Sequence, residues 1–387
     1  MRICFVTETF PPEVNGVATT GERVVRGLRE RGHDVHLVRP QQPGEASRND
    51  ADEWRTAGAP IPLYPQLRYG VVRKRAMQAQ LARIEPDVVH VATPGPLGRS
   101  GVFAAAAMGV PATTDFRTNF DWYSRYYRLG FLEPAIRHVL RSMHNRAECT
   151  FVPTRAMQHA LDAQGFERLE VIGRGVDCQA FSPLKRSEAL RASWGVTADD
   201  EPVLVHVGRL AAEKNAELAL KAHAALLAVQ PAAKLIVVGD GPLRARLEAQ
   251  YPAARFVGAL RGEALAAHYA SADILLFPSE SETFGNVTLE AMAAGLCVIA
   301  FDLAAASEHI VNDCTGWLVR PGAEDAFICA AIRAARLPAQ ARSLMGQMAR
   351  QRAEQATWPQ VVDQFARRLA HHATGAQCAK RGHGDLA

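Results

Sequence analysis

The chain has 387 residues, 48% hydrophobic and 22% charged, with 44 Lys and Arg against 40 Asp and Glu for a formal charge of +4. That length supports two separate cores, and the interspersed charges, without a long single-sign run, argue against a nucleic-acid partner. Seven scattered cysteines, none at C-x-x-C spacing and none set with histidines in a ligand pattern, suit reduced thiols in a cytoplasmic protein.

In chain order, Met1 to Val6 is an apolar run that turns polar at Thr7-Glu8-Thr9. It is too short for a signal-peptide core and reads as a first buried strand. A helix over about Thr19 to Arg31 ends at Gly32, and short β-rich runs follow at Val35–Val38, Val88–Val91, Ala112–Thr114, Thr150–Val152 and Leu169–Ile172. The longest apolar stretch, Val102 to Val110, falls well short of the roughly 20 residues of a membrane span, so membrane contact is expected to be peripheral.

The pattern restarts after Ser182-Pro183, with runs at Val203–Val207, Lys234–Val238, Arg255–Val257, Ile274–Phe277, Cys297–Ala300 and Trp317–Val319. Alternation of such runs with helical patterns implies βαβ units, hence an α/β protein with two doubly wound parallel sheets facing a central cleft. The expected domains are 1–175 and 176–356, with a terminal helix at about 357–371 and a disordered tail over 373–387.

Ligands of doubly wound sheets bind at the carboxyl ends of the strands. The loop after the first run, Glu8 to Val17, lacks the G-x-G-x-x-G of a dinucleotide-binding turn, which disfavours a nicotinamide dehydrogenase. Its Asn15-Gly16 pair is able to adopt positive φ and present backbone N–H groups to a phosphate, although such a pair is more often a plain turn. After Val203–Val207 the sequence Gly208-Arg209-Leu210-Ala211-Ala212-Glu213-Lys214 places a guanidinium and an ammonium together. Two fixed cations suit a diphosphate and the charge that grows on a departing nucleoside diphosphate, with no metal required.

The segment Pro278 to Gly295 reads strand, loop, helix. Glu282 stands in its loop, while Gly285 and Asn286 open a helix whose amino end favours an anion or a sugar hydroxyl. Glu290, one turn in, is placed to accept from a ribose diol. Both glutamates could simply favour a helix start, but with Phe284-Gly285 between them a functional role reads better.

Glu282 and Glu290, with seven residues between them, resemble the E-x7-E motif of the retaining glycosyltransferases of family 4. Asn15-Gly16, the Gly208 to Lys214 loop, Gly239-Asp240-Gly241-Pro242 and Leu289 to Gly295 resemble that family's motifs in the same order. The resemblance implies a GT-B fold with a terminal helix crossing back to the first domain. It further implies that Gly16 approaches the donor diphosphate, Arg209 and Lys214 clamp it, Glu282 and the amides of Phe284, Gly285 and Asn286 hold the donor sugar, and Glu290 holds the ribose. The expected substrate is a nucleotide sugar of GDP-mannose or UDP-glucose type, with no cofactor and no metal. One departure stands out: Arg117 occupies a loop position where many relatives carry histidine, and it either grips the donor diphosphate or an acidic group on the sugar or is a structural residue, the site role being the favoured reading.

Within the family, the loop around Arg117 is most similar to mannosyltransferases using GDP-mannose and to sulfoquinovosyl diacylglycerol synthases, which implies a lipid or glycan acceptor. Two basic aromatic segments, Leu67–Arg75 and Tyr123–Leu132, suit contact with an anionic membrane surface, or equally a solvated face over core aromatics. The competing readings are a nucleotide-sugar epimerase of similar architecture, for which no acid/base set is evident, and a non-catalytic nucleotide-sugar-binding protein.

Overall fold

Ile3, Cys4, Phe5 and Val6 are all buried, because the strand they form (β1, Arg2–Val6) lies inside a sheet covered on both faces. The structure, a computed structural model, describes residues 1–13, 15–45, 51–61, 64–116, 133–198 and 200–384. It divides into two compact units, Met1–Gly173 with Val361–Ala387, and Arg174–Gln360.

In the first unit β1 is joined by β2 (Asp34–Pro40), β3 (Glu53–Thr56), β6 (Val88–Val91), β7 (Ala112–Asp115), β8 (Cys149–Val152) and β9 (Leu169–Val171). Their order is β3-β2-β1-β6-β7-β8-β9, parallel throughout. Helices α1 (Gly16–Glu30), α2 (Lys74–Ile84), α3 (Pro96–Met108), α4 (Glu133–His144) and α5 (Arg155–Asp162) alternate with these strands. An antiparallel pair, β4 (Gly58–Ile61) and β5 (Tyr64–Gly70), stands outside that sheet.

The second unit opens with α6 (Glu188–Ser193) and builds a sheet from β10 (Val203–Val207), β11 (Lys234–Val238), β12 (Arg255–Gly258), β13 (Ile274–Phe277), β14 (Cys297–Phe301) and β15 (Gly316–Val319). The order is β12-β11-β10-β13-β14-β15, again all parallel. Helices α7 (Ala216–Leu227), α8 (Arg244–Gln250), α9 (Gly262–Ser271), α10 (Asn286–Ala293), α11 (Ala304–His309), α12 (Glu324–Ala335) and α13 (Ala339–Ala353) cover it. Its strands β13 and β14 are unbroken apolar runs, and buried residues on the two faces form two separate core clusters.

The final helix, α14 (Trp358–Gly384), starts in the second unit and continues in the first. Val361, Val362, Phe365, Leu369 and Ala373 are buried along it, and Asp363 accepts from Arg31 Nε of the α1 end at 2.5 Å. The helix runs past the end expected near residue 371, and Ala373, expected to begin a disordered tail, is packed. No proline follows Trp358-Pro359, and the first glycine, Gly375, weakens a helix by about 1 kcal/mol without ending it, Gly382 and Gly384 coming only in the last turn.

Candidate functional site

Strand order reverses between β1 and β6 in the first sheet and between β10 and β13 in the second. Loops leaving the carboxyl ends on either side of such a reversal are splayed apart and form the crevice of an open α/β sheet. In the second unit these are the loops Gly208–Asn215 and Pro278–Gly285, which hold most of the residues singled out in the sequence.

The first of them is stitched to its neighbour. Gly208 N donates to Val238 O at 3.0 Å, Leu210 N to Asp240 O at 2.9 Å, and Leu243 N to Leu210 O at 3.0 Å. Gly239, at φ 147°, runs so close that a Cβ there would sit 1.8 Å from the Gly208 carbonyl oxygen. Lys214 ends a single 3-10 turn (Ala212–Lys214), and its ammonium donates to Glu282 Oε1 at 2.5 Å and to Ser281 O at 3.4 Å. Both partners are mostly enclosed, with side chains 21% and 13% exposed. Glu280 N donates to Glu213 O at 3.1 Å, and Asn215 Nδ2 to Glu280 Oε1 at 3.2 Å, so the two loops are fastened together around that pair. Arg209 stays largely exposed and bonds to Glu213 four residues on; burial raises the Glu213 carboxyl, but the bonds from Arg209 and from backbone, with the charges of Arg209 and Lys214, together hold the group below its ordinary range.

Gly285 takes the left-handed conformation, φ 85°, and caps α10, whose start has neither a side-chain cap nor an acidic residue in its first turn. The amino-end field of this helix is therefore not neutralised by its own sequence. Phe284 is buried in front of it, its ring 6.3 Å from that of His309 and 5.9 Å from the Arg174 guanidinium carbon, while its carbonyl accepts from Ala305 N at 2.7 Å. Asn286 is the first helical residue, and its Oδ1 is buried without a hydrogen-bond partner. Glu290 Oε2 accepts from the hydroxyl of fully buried Tyr269 at 3.1 Å. Burial, then the Glu290 charge, raises that phenol well above its ordinary pKa, so it remains a donor. Glu290 lies beyond the first turn of α10, and Glu282 precedes its Gly285 cap.

Two members of this arrangement, Tyr269 and His206, were missed in the sequence. His206 interrupts an otherwise apolar strand, which was the available signal. Its Nδ1 lies 3.0 Å from the Leu276 carbonyl oxygen and carries the proton; burial depresses the imidazole to about 4, so it is neutral. This contact joins β10 to β13 just beyond their paired residues Val205 and Leu275, at the roots of both loops.

In the first unit Asn15 does not take positive φ. It is extended, at φ −151° and ψ 164°, and caps α1 by accepting from Val17 N and Ala18 N, with Gly16 as the first helical residue. A helix-capping asparagine satisfies amides that the sequence reading had reserved for a phosphate. Beside it, Glu13 bonds to Thr9, Asn15 and Gln42, and Glu8 accepts from Leu97 N at the start of α3 at 2.7 Å. Burial drives Glu8 from 4.5 up to about 7 against the bonds from Leu97 and Gly98. Neither carboxyl was anticipated, although both lie in the loop after the first strand. Arg117 and the segment Tyr123–Leu132 lie outside the described residues.

Residues 14–180 match the family model described as Glycosyltransferase Family 4, and residues 201–336 match that of Glycosyl transferases group 1. A GDP-mannose-dependent alpha-mannosyltransferase of Mycolicibacterium smegmatis is 37% identical over 94% of this chain and 96% of its own. Sulfoquinovosyl transferase SQD2 of Arabidopsis thaliana is 30% identical over 92% of this chain and 71% of its own. Among solved structures, sucrose-phosphate synthase from Thermosynechococcus elongatus superimposes with a TM-score of 0.73 at 18% identity, covering 95% of this chain and 98% of its own. Anabaena HepE with UDP gives 0.71 at 20% identity, covering 96% and 100%. Those two likenesses establish the GT-B fold, and sequence identity along nearly the whole length goes further: the chain is a glycosyltransferase and belongs to family 4.

Proposed function

We propose that the chain is a retaining, metal-independent hexosyltransferase that moves mannose from GDP-mannose to a lipid or glycan acceptor. The observation that carries this reading is the Lys214–Glu282 pair at the reversal of strand order, where a cation and a carboxylate from two loops meet. A diphosphate drawn to Arg209 and Lys214 takes the ammonium from Glu282 and releases that carboxylate to accept from sugar hydroxyls. The amino end of α10 adds a fixed positive field, and Glu290, steadied by Tyr269, accepts from the ribose diol.

The donor assignment rests on relatives described as GDP-mannose-dependent, including those of Mycobacterium tuberculosis at 37% and Corynebacterium glutamicum at 34% identity. The acceptor class rests on lipid-named relatives, among them an alpha-monoglucosyldiacylglycerol synthase of Streptococcus pneumoniae at 27% identity.

In the reaction, the bond from the anomeric carbon to the diphosphate oxygen breaks while the acceptor oxygen bonds to the same face of that carbon. The acceptor proton passes to the departing phosphate. Charge developing on the leaving diphosphate is where two preplaced cations are most effective. A thermal-shift panel of GDP, UDP, ADP and their sugars with chelator present, run beside Lys214→Ala, tests the donor. A shift with GDP compounds that is lost in the variant supports the reading; a shift with UDP compounds alone redirects it to glucose; none at all favours a non-catalytic protein.

A further inference from the structure

We infer that Cys149, Glu170 and His372 form a binding site for a thiophilic divalent cation such as Zn2+ in the first unit. The thiol, one carboxylate oxygen and one imidazole nitrogen all lie within 4.8 Å of one another. They come from three elements: Cys149 begins β8, Glu170 lies in β9, and His372 projects from α14. In the parallel register Phe151 pairs with Glu170, so Cys149, two residues before Phe151, shares the sheet face of Glu170. On α14, Phe365, Arg368 and His372 are spaced by three and four residues and share one helix face, which meets that sheet face where the Phe151 and Phe365 rings stand 5.4 Å apart.

The donor set selects the class of cation. One sulfur, one nitrogen and one oxygen match the ligands of zinc, whose bonds of about 2.0–2.3 Å in a tetrahedron place ligand atoms roughly 3.3–3.6 Å apart. His372 Nε2 and Glu170 Oε1, 2.9 Å apart, need only part slightly, and with all three ligand atoms within 4.8 Å closure calls for side-chain movement of about an ångström rather than a rearranged backbone. A thiolate and an imidazole disfavour Mg2+ and Ca2+. On binding, the Cys149 thiol releases its proton to solvent, and bonds to sulfur, nitrogen and oxygen replace three of the ion's waters, leaving a water in the fourth position.

Two further charged groups face this site: the Asp115 carboxylate acts on the Cys149 thiol, and Arg368 Nε lies 3.3 Å from Glu170 Oε2, its side chain 50% exposed. Cys149 begins its strand, away from the carboxyl-end loops of the same sheet, so the ion's role is to clamp α14 to β8 and β9. The nucleotide-sugar reading does not depend on it.

The test is titration of the full-length, chelator-treated protein with Zn2+ against a chromophoric chelator, and with Co2+ followed by absorbance. One equivalent bound, with the ultraviolet thiolate-to-cobalt band, is expected. Cys149→Ser should abolish the band and weaken binding by more than the about 10–100-fold that losing a supporting partner costs. His372→Gln should weaken binding but keep the band, and Arg368→Ala should tighten it, with far-ultraviolet circular dichroism confirming that each variant is folded. No band in the wild-type protein, or a band that survives Cys149→Ser, overturns the site and leaves the trio as a hydrogen-bonded brace.

Discussion

Lys214 and Glu282 belong to different loops yet share a 2.5 Å hydrogen bond between opposite charges, each the other's charged partner within a largely enclosed pocket. Removing either one leaves the other enclosed and uncompensated. Lys214→Ala should lower kcat/KM for transfer by about 10²–10³-fold, the range seen when a preplaced stabiliser of developing charge is deleted. Glu282→Gln should fall similarly, and the double variant little further, because the two act as a unit. Initial-rate measurements on the four proteins decide it; simple additivity of the two losses would sink the shared role.

Tyr269 gives Glu290 a bond without opening the site to water. Tyr269→Phe keeps the ring and removes only the hydroxyl, so it should cost about 1 kcal/mol of stability. It should also raise KM for the donor several-fold with kcat little changed. Calorimetric titration with the nucleoside diphosphate, beside a urea melt, separates the two effects; unaltered nucleotide affinity would remove Glu290 from ribose recognition.

The contact between Gly239 and the Gly208 carbonyl admits no side chain. Gly239→Ala must push the Gly208–Arg209 backbone away, at about 1–3 kcal/mol from overpacking alone. The melting temperature should fall and nucleotide binding weaken, while Gly322→Ala, where nothing lies within 4 Å of the added Cβ, should leave nucleotide binding unchanged. Equal losses of binding in both variants would show that the close approach is not what shapes the loop.

The Glu8 carboxyl titrates near 7 in the folded chain against an ordinary 4.5. Between those values the folded chain keeps a proton that the unfolded chain has lost, so stability declines as pH rises through this window, by about 3 kcal/mol in full. Below pH 4.5 both states are protonated and the penalty vanishes. Glu8→Gln, which can still accept from Leu97 N, should flatten the curve between pH 4.5 and 7 and be the more stable protein at pH 8. Parallel pH profiles of denaturant midpoints for the two proteins would refute this.

The strands that are legible in the sequence are those whose burial on both faces demands an unbroken apolar run, such as Ile274–Phe277 and Cys297–Phe301. The strands β3, β4 and β5 are not. Glu53-Trp54-Arg55-Thr56 is an edge strand whose charges pair laterally, Arg39 reaching Glu53 at 2.6 Å, and the β4–β5 region carries Pro60, Pro62 and Pro65. Neither presents the pattern that burial imposes. The same division holds in the site. Glu282, Glu290, Arg209 and Lys214 announce themselves because charged groups in loops next to buried strands need a reason. Tyr269 and His206 pass for core residues until the partner appears, and the partner is a tertiary fact. Glu170 and His372 stand 202 positions apart, a separation at which no spacing rule operates.

The chain leaves the first unit after Gly173 and returns after Gln360. At this double crossing Val176 bridges Thr357, Val176 N donates to Ala356 O at 2.9 Å, and Gly175 lies against the Trp358 backbone. The second unit is thus an insertion within the first. During synthesis it can be complete and folded while the first unit still lacks Val361 to Ala373, the helical turns that cover its core. The amino-terminal half must therefore wait, partly uncovered, for a segment made after the whole of its neighbour. Released chains truncated after Gln360 should accordingly hold a protease-resistant second unit beside a protease-sensitive first one.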